Sequence, residues 1–291
     1  MTGRENPAGI RGAMWSRLRG IGGLRLAGPG DWNAALAFAK AAGPQGVLLG
    51  ARLIDRFNGA AWLWPGSHGL KGVCWVGGII LPVGFGPENA DLLAARAGGG
   101  IGTSLVGDAP TIMALWQRLA PSWPQPRDIR PEQPLMEIND QPLWPLDRSV
   151  RPARLDEVDQ VLPAAAAMFT EEVGFAELAN RQRSRVGELI RQGRTFIRWG
   201  PIPGQAAPGV QFKADLGAVV GDHAQIQGVW THPSLRGRGL AKSGTAAVVA
   251  KALQAGYRSV SLYVNSYNLA ALAVYRAVGF RQVGLWATVM V

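Results

Sequence analysis

Gln225-Ile226-Gln227-Gly228-Val229-Trp230-Thr231-His232-Pro233-Ser234-Leu235-Arg236-Gly237-Arg238-Gly239-Leu240-Ala241 is the stretch that decides the fold. Gln225 to Thr231 reads as an apolar strand, and His232-Pro233 ends it. Ala241, Thr245, Val248, Val249 and Ala252 then form a helical stripe closed by Gly256. Between strand and helix lies a short loop of small and basic residues. A loop of that kind leaves several N–H groups of the first helical turn unpaired and aimed at one spot, where a pyrophosphate fits. A helix terminus alone stabilises an anion by only ~0.3–1 kcal/mol, or ~2 when partly buried. Arg236 and Arg238 therefore have to add charge-assisted contacts.

The pattern Arg-x-x-Gly-x-Gly/Ala occurs twice more, at Arg17 to Gly22 and at Arg25 to Gly30. Context separates the three. The Arg17 copy has no strand before it and no helix after it. The Arg25 copy precedes a helix, but Asp31 stands at that helix's start as an N-cap and would repel a phosphate. Only the Arg236 copy joins a strand to an uncapped helix.

Outward from this centre, the C-terminal half alternates helix and strand. Helices are expected over Asp156 to Met168, Phe175 to Gln192 and Leu269 to Val278. Strands are expected over Arg194 to Trp199, Gln211 to Gly221, Val260 to Val264 and Val283 to Val291. The N-terminal half reads as mixed α/β, with helices Trp32 to Ala42 and Thr111 to Ala120 and apolar strands near Trp62 and from Val73 to Leu81. A proline- and tryptophan-marked seam, Pro121 to Pro152, reads as an extended strap, which puts the boundary near Val150 and the domains at 1–150 and 151–291. Arg25-Leu26 before Asp31 and Arg151 before Asp156 open the two halves alike. A diverged duplication and two unrelated α/β domains both remain open.

The 291 residues carry 30 Lys+Arg against 20 Asp+Glu, a formal charge of +10. The excess is almost all scattered arginine, which favours anionic ligands only weakly. Cys74 is the single cysteine, so an internal disulfide and a cysteine-based metal cluster are excluded. The most apolar stretch, Val73 to Phe85, is broken by Gly77, Gly78 and Pro82 and is too short to span a bilayer. A cytoplasmic protein with no membrane partner is expected.

Together, Val229 to Pro233, Arg236 to Ala241, Asn268, Tyr275 and Gly279-Phe280 resemble the GCN5-related N-acetyltransferase (GNAT) family over about Arg151 to Val291. The resemblance implies a GNAT fold, an α/β (α+β) architecture with a mixed, mostly antiparallel sheet flanked by helices. Ahead of it stands a second α/β domain, read as a degenerate GNAT-like repeat. It also implies acetyl-CoA as co-substrate, an amine of a small molecule or protein as acceptor, and no metal. Val229, Trp230 and Thr231 would offer backbone groups to the pantetheine arm. Arg236, Gly237, Arg238, Gly239, Leu240, Ala241 and Lys242 would hold the pyrophosphate. Asn268 would bond the CoA arm, and Tyr275 would protonate the leaving thiolate.

Asn268 and Tyr275 lie seven apart, on one face of a helix. Their alternatives are a helix cap and a core residue. Related enzymes carry a glutamate base where Tyr263 stands here, and the strand before the loop has Gln225 and Gln227. An amine of pKa near 10.4 is neutral in about one molecule in ~2,000 at pH 7, so a base is useful. Glu172 is the first choice, with Glu171, His223 and His232 behind it. Two other classes stay open: a tandem GNAT transferase that depends on aminoacyl-tRNA or resembles mycothiol synthase, and a non-catalytic acyl-CoA sensor. A homodimer is compatible with either.

Overall fold

The computed structural model describes residues 23–55, 59–97, 104–174 and 179–291. The Arg17 copy of the loop motif and the start of the helix expected from Phe175 lie outside them. The chain divides into two compact units. One holds the described residues up to Ala42, Arg52–Pro131 and Trp286–Val291; the other holds Gly43–Ala51 and Glu132–Leu285.

The two halves of the chain run through one sequence of elements, although Gly43–Ala51 and Trp286–Val291 are counted with the unit of the opposite half. The first half has β1 (Arg25–Leu26), a 3-10 turn, α1 (Trp32–Ala41) and α2 (Val47–Asp55). It continues through β2 (Gly59–Gly66), β3 (Gly69–Gly77), β4 (Ile79–Val83), a second 3-10 turn, α3 (Ala90–Ala97), β5 (Ser104–Asp108) and α4 (Ala109–Leu119). After β6 (Asp128–Ile138), the second has β7 (Arg151–Pro152), a 3-10 turn, α5 (Val158–Val173) and α6 (Ala179–Arg191). Then follow β8 (Thr195–Gly200), β9 (Gly209–Val220), β10 (His223–Thr231), a 3-10 turn, α7 (Leu240–Gln254), β11 (Ser259–Tyr263), α8 (Leu269–Val278) and β12 (Arg281–Met290).

The strand orders match as well: β1-β2-β3-β4-β5-β12 in one unit and β7-β8-β9-β10-β11-β6 in the other. In each, the fourth and fifth strands, β4–β5 and β10–β11, are parallel and the other described pairs antiparallel. The final strands are exchanged. Leu135–Ile138 of β6, which follows α4 in the chain, pairs with β11. Trp286–Met290 of β12, which follows α8, pairs with β5.

Several expectations change. The Val73 to Leu81 run is two strands, because Gly78 turns the chain between β3 and β4. The seam holds a regular strand, β6, despite Pro131 and Pro134. Pro134 lacks an N–H but its carbonyl still accepts from Val264 at 3.3 Å. Asp31 does not cap α1. Its carboxylate accepts from Gly28 N at 2.8 Å and from both terminal nitrogens of Arg25 at 2.6 and 2.7 Å.

The counterpart in the second unit is Glu157 and not Asp156. It accepts from Arg154 N at 2.7 Å and from both terminal nitrogens of Arg151 at 2.6 and 2.7 Å. The same i, i+3, i+6 clasp opens both units, which is the physical signature of a repeat. Its arginine, aided by the backbone N–H, holds each carboxyl well below its ordinary range, to about 2.

A carboxylate whose pKa falls on folding stabilises the fold above its unfolded pKa, about 4.3 for Glu. That contribution is lost as the pH falls through about 2. Glu157→Gln should therefore lower stability by about 2 kcal/mol at pH 7, with the gap to wild type closing towards pH 2 in urea melts. Truncation after Leu285 should raise amide exchange along Ser104–Asp108 more than along Ser259–Tyr263, since β12 completes the unit that contains β5.

Candidate functional site

The site in the second unit begins where the sheet opens. β10 pairs with β11 only through His223–Gln225 against Ser259–Ser261. Beyond Gln225, among the described residues, β10 keeps its ladder to β9 but has none to β11. The register against β9 shifts between Gln227 and Trp230, a bulge that turns the strand. Gly228 sits in it with φ +58°, a conformation that costs a residue with a Cβ. On the β11 side, backbone groups between Ile226 and Trp230 thus have no strand partner among the described residues and could meet an added strand-like ligand, whereas Thr231 O accepts from Arg236. This is where the sequence put Val229, Trp230 and Thr231.

Beneath the bulge is a feature the sequence reading missed. A Cβ on Gly228 would lie 3.0 Å from Met168 Cε, 3.2 Å from Asp215 Oδ2 and 3.3 Å from Lys213 Nζ. Lys213, only 1% exposed, donates to Asp215, whose other oxygen accepts from Thr195 Oγ1 at 2.8 Å. Alternation along β9 marks Phe212, Ala214 and Leu216 as core and so assigns Lys213 and Asp215 to the opposite face. That face is covered by α5 and α6 instead of water. The available signal was opposite charges at i and i+2 on a strand otherwise apolar.

At the end of β10, Pro233–Leu235 form a 3-10 turn and Arg236 is extended. Gly237 and Gly239 then take φ +76° and +80°, and a Cβ on either would meet open space. Gly239 is the N-cap of α7, with no side chain capping the helix. The N–H groups of Lys242 and Ser243 return to Gly239 O at 3.0 and 3.2 Å. The mouth formed by Gly237, Arg238, Gly239, Leu240 and Ala241 is open, basic and uncapped, as an anion site must be.

The corresponding crossing of the first unit has no such mouth. There Gly86 N–H is taken by Asn89 Oδ1 at 3.0 Å, Glu88 lies in the turn, and α3 starts at once.

Arg236 has a different placement from its neighbours. Its Nη2 bonds both oxygens of Glu171 at 2.9 and 2.7 Å, and its Nε bonds Thr231 O at 3.1 Å. It braces the strand end against α5. Glu171 is engaged in that brace. His232 holds its own turn, accepting from Ser234 N at 3.3 Å. His223, paired with Ser259 Oγ at 2.7 Å, stands at the other end of β10, on the order of 25 Å along the strand from Thr231.

Asn268 Oδ1 accepts from Ala271 N at 3.1 Å and so caps α8. Its amide N–H₂ is not used by that cap. Tyr275, 8% exposed on α8, packs edge-to-face on Phe280 at 5.9 Å. Burial raises its phenol above the ordinary value, and the Glu172 carboxylate acts in the same direction. Both influences keep the phenol protonated, as a proton donor requires. Among the described residues no group of His, Cys, Asp or Glu is arranged to hold a metal ion, and no helix is long and apolar enough to cross a membrane.

A splayed sheet, a bulge and an uncapped glycine loop together define an acyltransferase domain of the GNAT class. The chain carries such a domain: residues 171–280 match the Acetyltransferase (GNAT) family, and residues 59–161 match a domain of unknown function (DUF4081). Solved structures agree in fold across both units. A GCN5-related N-acetyltransferase from Sphaerobacter thermophilus is similar with TM-score 0.60 and 15% identity, over 91% of this chain and 94% of its own. A GNAT-family acetyltransferase from Colwellia psychrerythraea gives 0.57 and 15%, over 92% and 98%. A tandem GNAT protein from the clavulanic acid biosynthesis pathway gives 0.52 and 15%, over 91% and 98%. No curated protein sequence matches the chain.

Removing one partner of a buried ion pair strands the other charge, at a cost of ~3–5 kcal/mol, whereas removing both for apolar residues is often neutral. Lys213→Met should therefore destabilise the protein by that order, and the double change with Asp215→Leu should restore most of it, as read by thermal melting.

Proposed function

We propose that the second unit moves an acetyl group from acetyl-CoA to an amine by direct transfer in a ternary complex. The observation that carries this reading is the open edge of β10 running straight into the uncapped loop. An extended arm lying along Val229–Thr231 would place its diphosphate at Gly237–Ala241. Its thioester end would then lie towards Tyr275. Lys242 and Arg238 supply positive charge at the diphosphate, and the amide of Asn268 is available to the arm.

In the transfer, the neutral amine nitrogen attacks the thioester carbonyl carbon. The C–S bond breaks, the sulfur leaves as thiolate, and it takes the proton of Tyr275. The proton shed by the nitrogen passes to Glu172, directly or through water. Glu172 is exposed at the end of α5, where an acceptor entering past α5 and α6 would meet it. The buried Cys74 lies in the other unit, and burial pushes its thiol up to about 12. It is suited to packing and not to a covalent acyl relay.

Two measurements check this. Acetyl-CoA should raise the melting temperature, and thiol release should appear with part of an amine and peptide panel. Binding with no release against any amine would replace catalysis by acyl-CoA sensing. Tyr275→Phe should lower kcat more than tenfold with acetyl-CoA affinity unchanged. Because its phenol is raised above the ordinary value near 10, wild-type activity should show no fall from Tyr275 ionisation up to pH 10.

A further inference from the structure

Resting on the acetyl-CoA reading above, we propose that Trp144 is the platform on which the adenine ring of the coenzyme stacks, while Lys242 turns from that ring to a phosphate. Trp144 belongs to the strap that follows β6 and is half-buried, packed against the core under α7 and α8. The strap is pinned on both sides of it. Leu143 N–H bonds Val278 O at 2.9 Å, Asp147 N–H bonds Ser243 O at 3.1 Å, and Arg198 Nη1 bonds Asp147 Oδ2 at 2.7 Å. The indole is therefore held in place beside the first turn of α7.

Lys242 is the third residue of that helix, and its Nζ lies 4.4 Å from the Trp144 ring centroid. A cation over an indole is a modest contact where water reaches it, and a lysine stem turns easily. A phosphate at the Gly237–Ala241 amides is a stronger partner for the ammonium than a ring face. Once the ammonium swings to it, the face it covered is free for another flat, π-rich group. An adenosine phosphate presents both parts that this pair lacks: an anion for Lys242 and an aromatic ring for Trp144. A pantetheine arm alone presents no ring. The strap, which the motif pattern does not include, thereby becomes part of the nucleotide site.

The test is calorimetric titration of the full chain with CoA and with 4′-phosphopantetheine, which lacks the adenosine. Trp144→Leu keeps an apolar side chain against the core but removes the ring face. CoA affinity should fall roughly 5- to 100-fold, the range found for losing one base–aromatic stack, while phosphopantetheine affinity stays within about twofold; Trp144→Phe should recover most of the loss. Equal CoA affinity in wild type and Trp144→Leu, or an equal loss for both probes, overturns the proposal. If Trp144→Leu does not fold, the wild type decides: the adenine protons of bound 3′,5′-ADP should shift upfield in the NMR spectrum, and an unshifted bound signal overturns the stack. A wild-type chain that binds neither CoA nor phosphopantetheine brings down the acetyl-CoA reading itself, whereas CoA binding indifferent to Trp144 brings down this subsite alone.

Discussion

The parallel ladder between β10 and β11 lasts three residues, and the site depends on its ending there. Were it to continue, the N–H and C=O groups of Ile226–Thr231 would be satisfied within the sheet, and no ligand could add to them. Two features hold the strands apart. The bulge at Gly228 turns β10 away, and the Lys213–Asp215 pair fills the space below it, with the missing Cβ letting the strand settle onto both charges. At the far end Arg236 ties Thr231 O to Glu171 on α5. The open edge is thus built in before any ligand arrives, so little ordering opposes binding.

The repeat gives this a second dimension. Both units open on the same arginine–carboxylate clasp and share strand order and parallel pair, yet only one retains a glycine mouth on its helix. In the other, Asn89 closes the N–H that an anion would use. The exchange of final strands means that each unit's sheet is completed by residues from the other half of the chain.

Much of this was legible in the sequence where the cause is local. Glycines flanking Arg238 after an apolar strand specify a turn and an uncapped helix, and they form one. Leu269 to Val278, bounded by Asn268 and Gly279, is the helix its caps dictate. What depends on distant pairing was not legible. β6 lies in a stretch that reads as a strap, and nothing in it or in β12 says which neighbour it joins. Lys213 and Asp215 look solvated until α5 and α6 are placed over them. The contact of Arg236 with Glu171 joins residues sixty-five apart. The likeness of the two openings is legible as Arg151 before Asp156, but the carboxylate that meets Arg151 is Glu157, which has the same six-residue spacing as Arg25 and Asp31.

The most direct test follows individual backbone amides by hydrogen exchange as CoA is added. The account predicts new protection at Val229 to Thr231 and at Gly237 to Ala241, with little change along the Gly84–Asn89 crossing of the other unit. CoA binding that leaves those amides exchanging as before, or that protects the Gly84–Asn89 crossing instead, would contradict it.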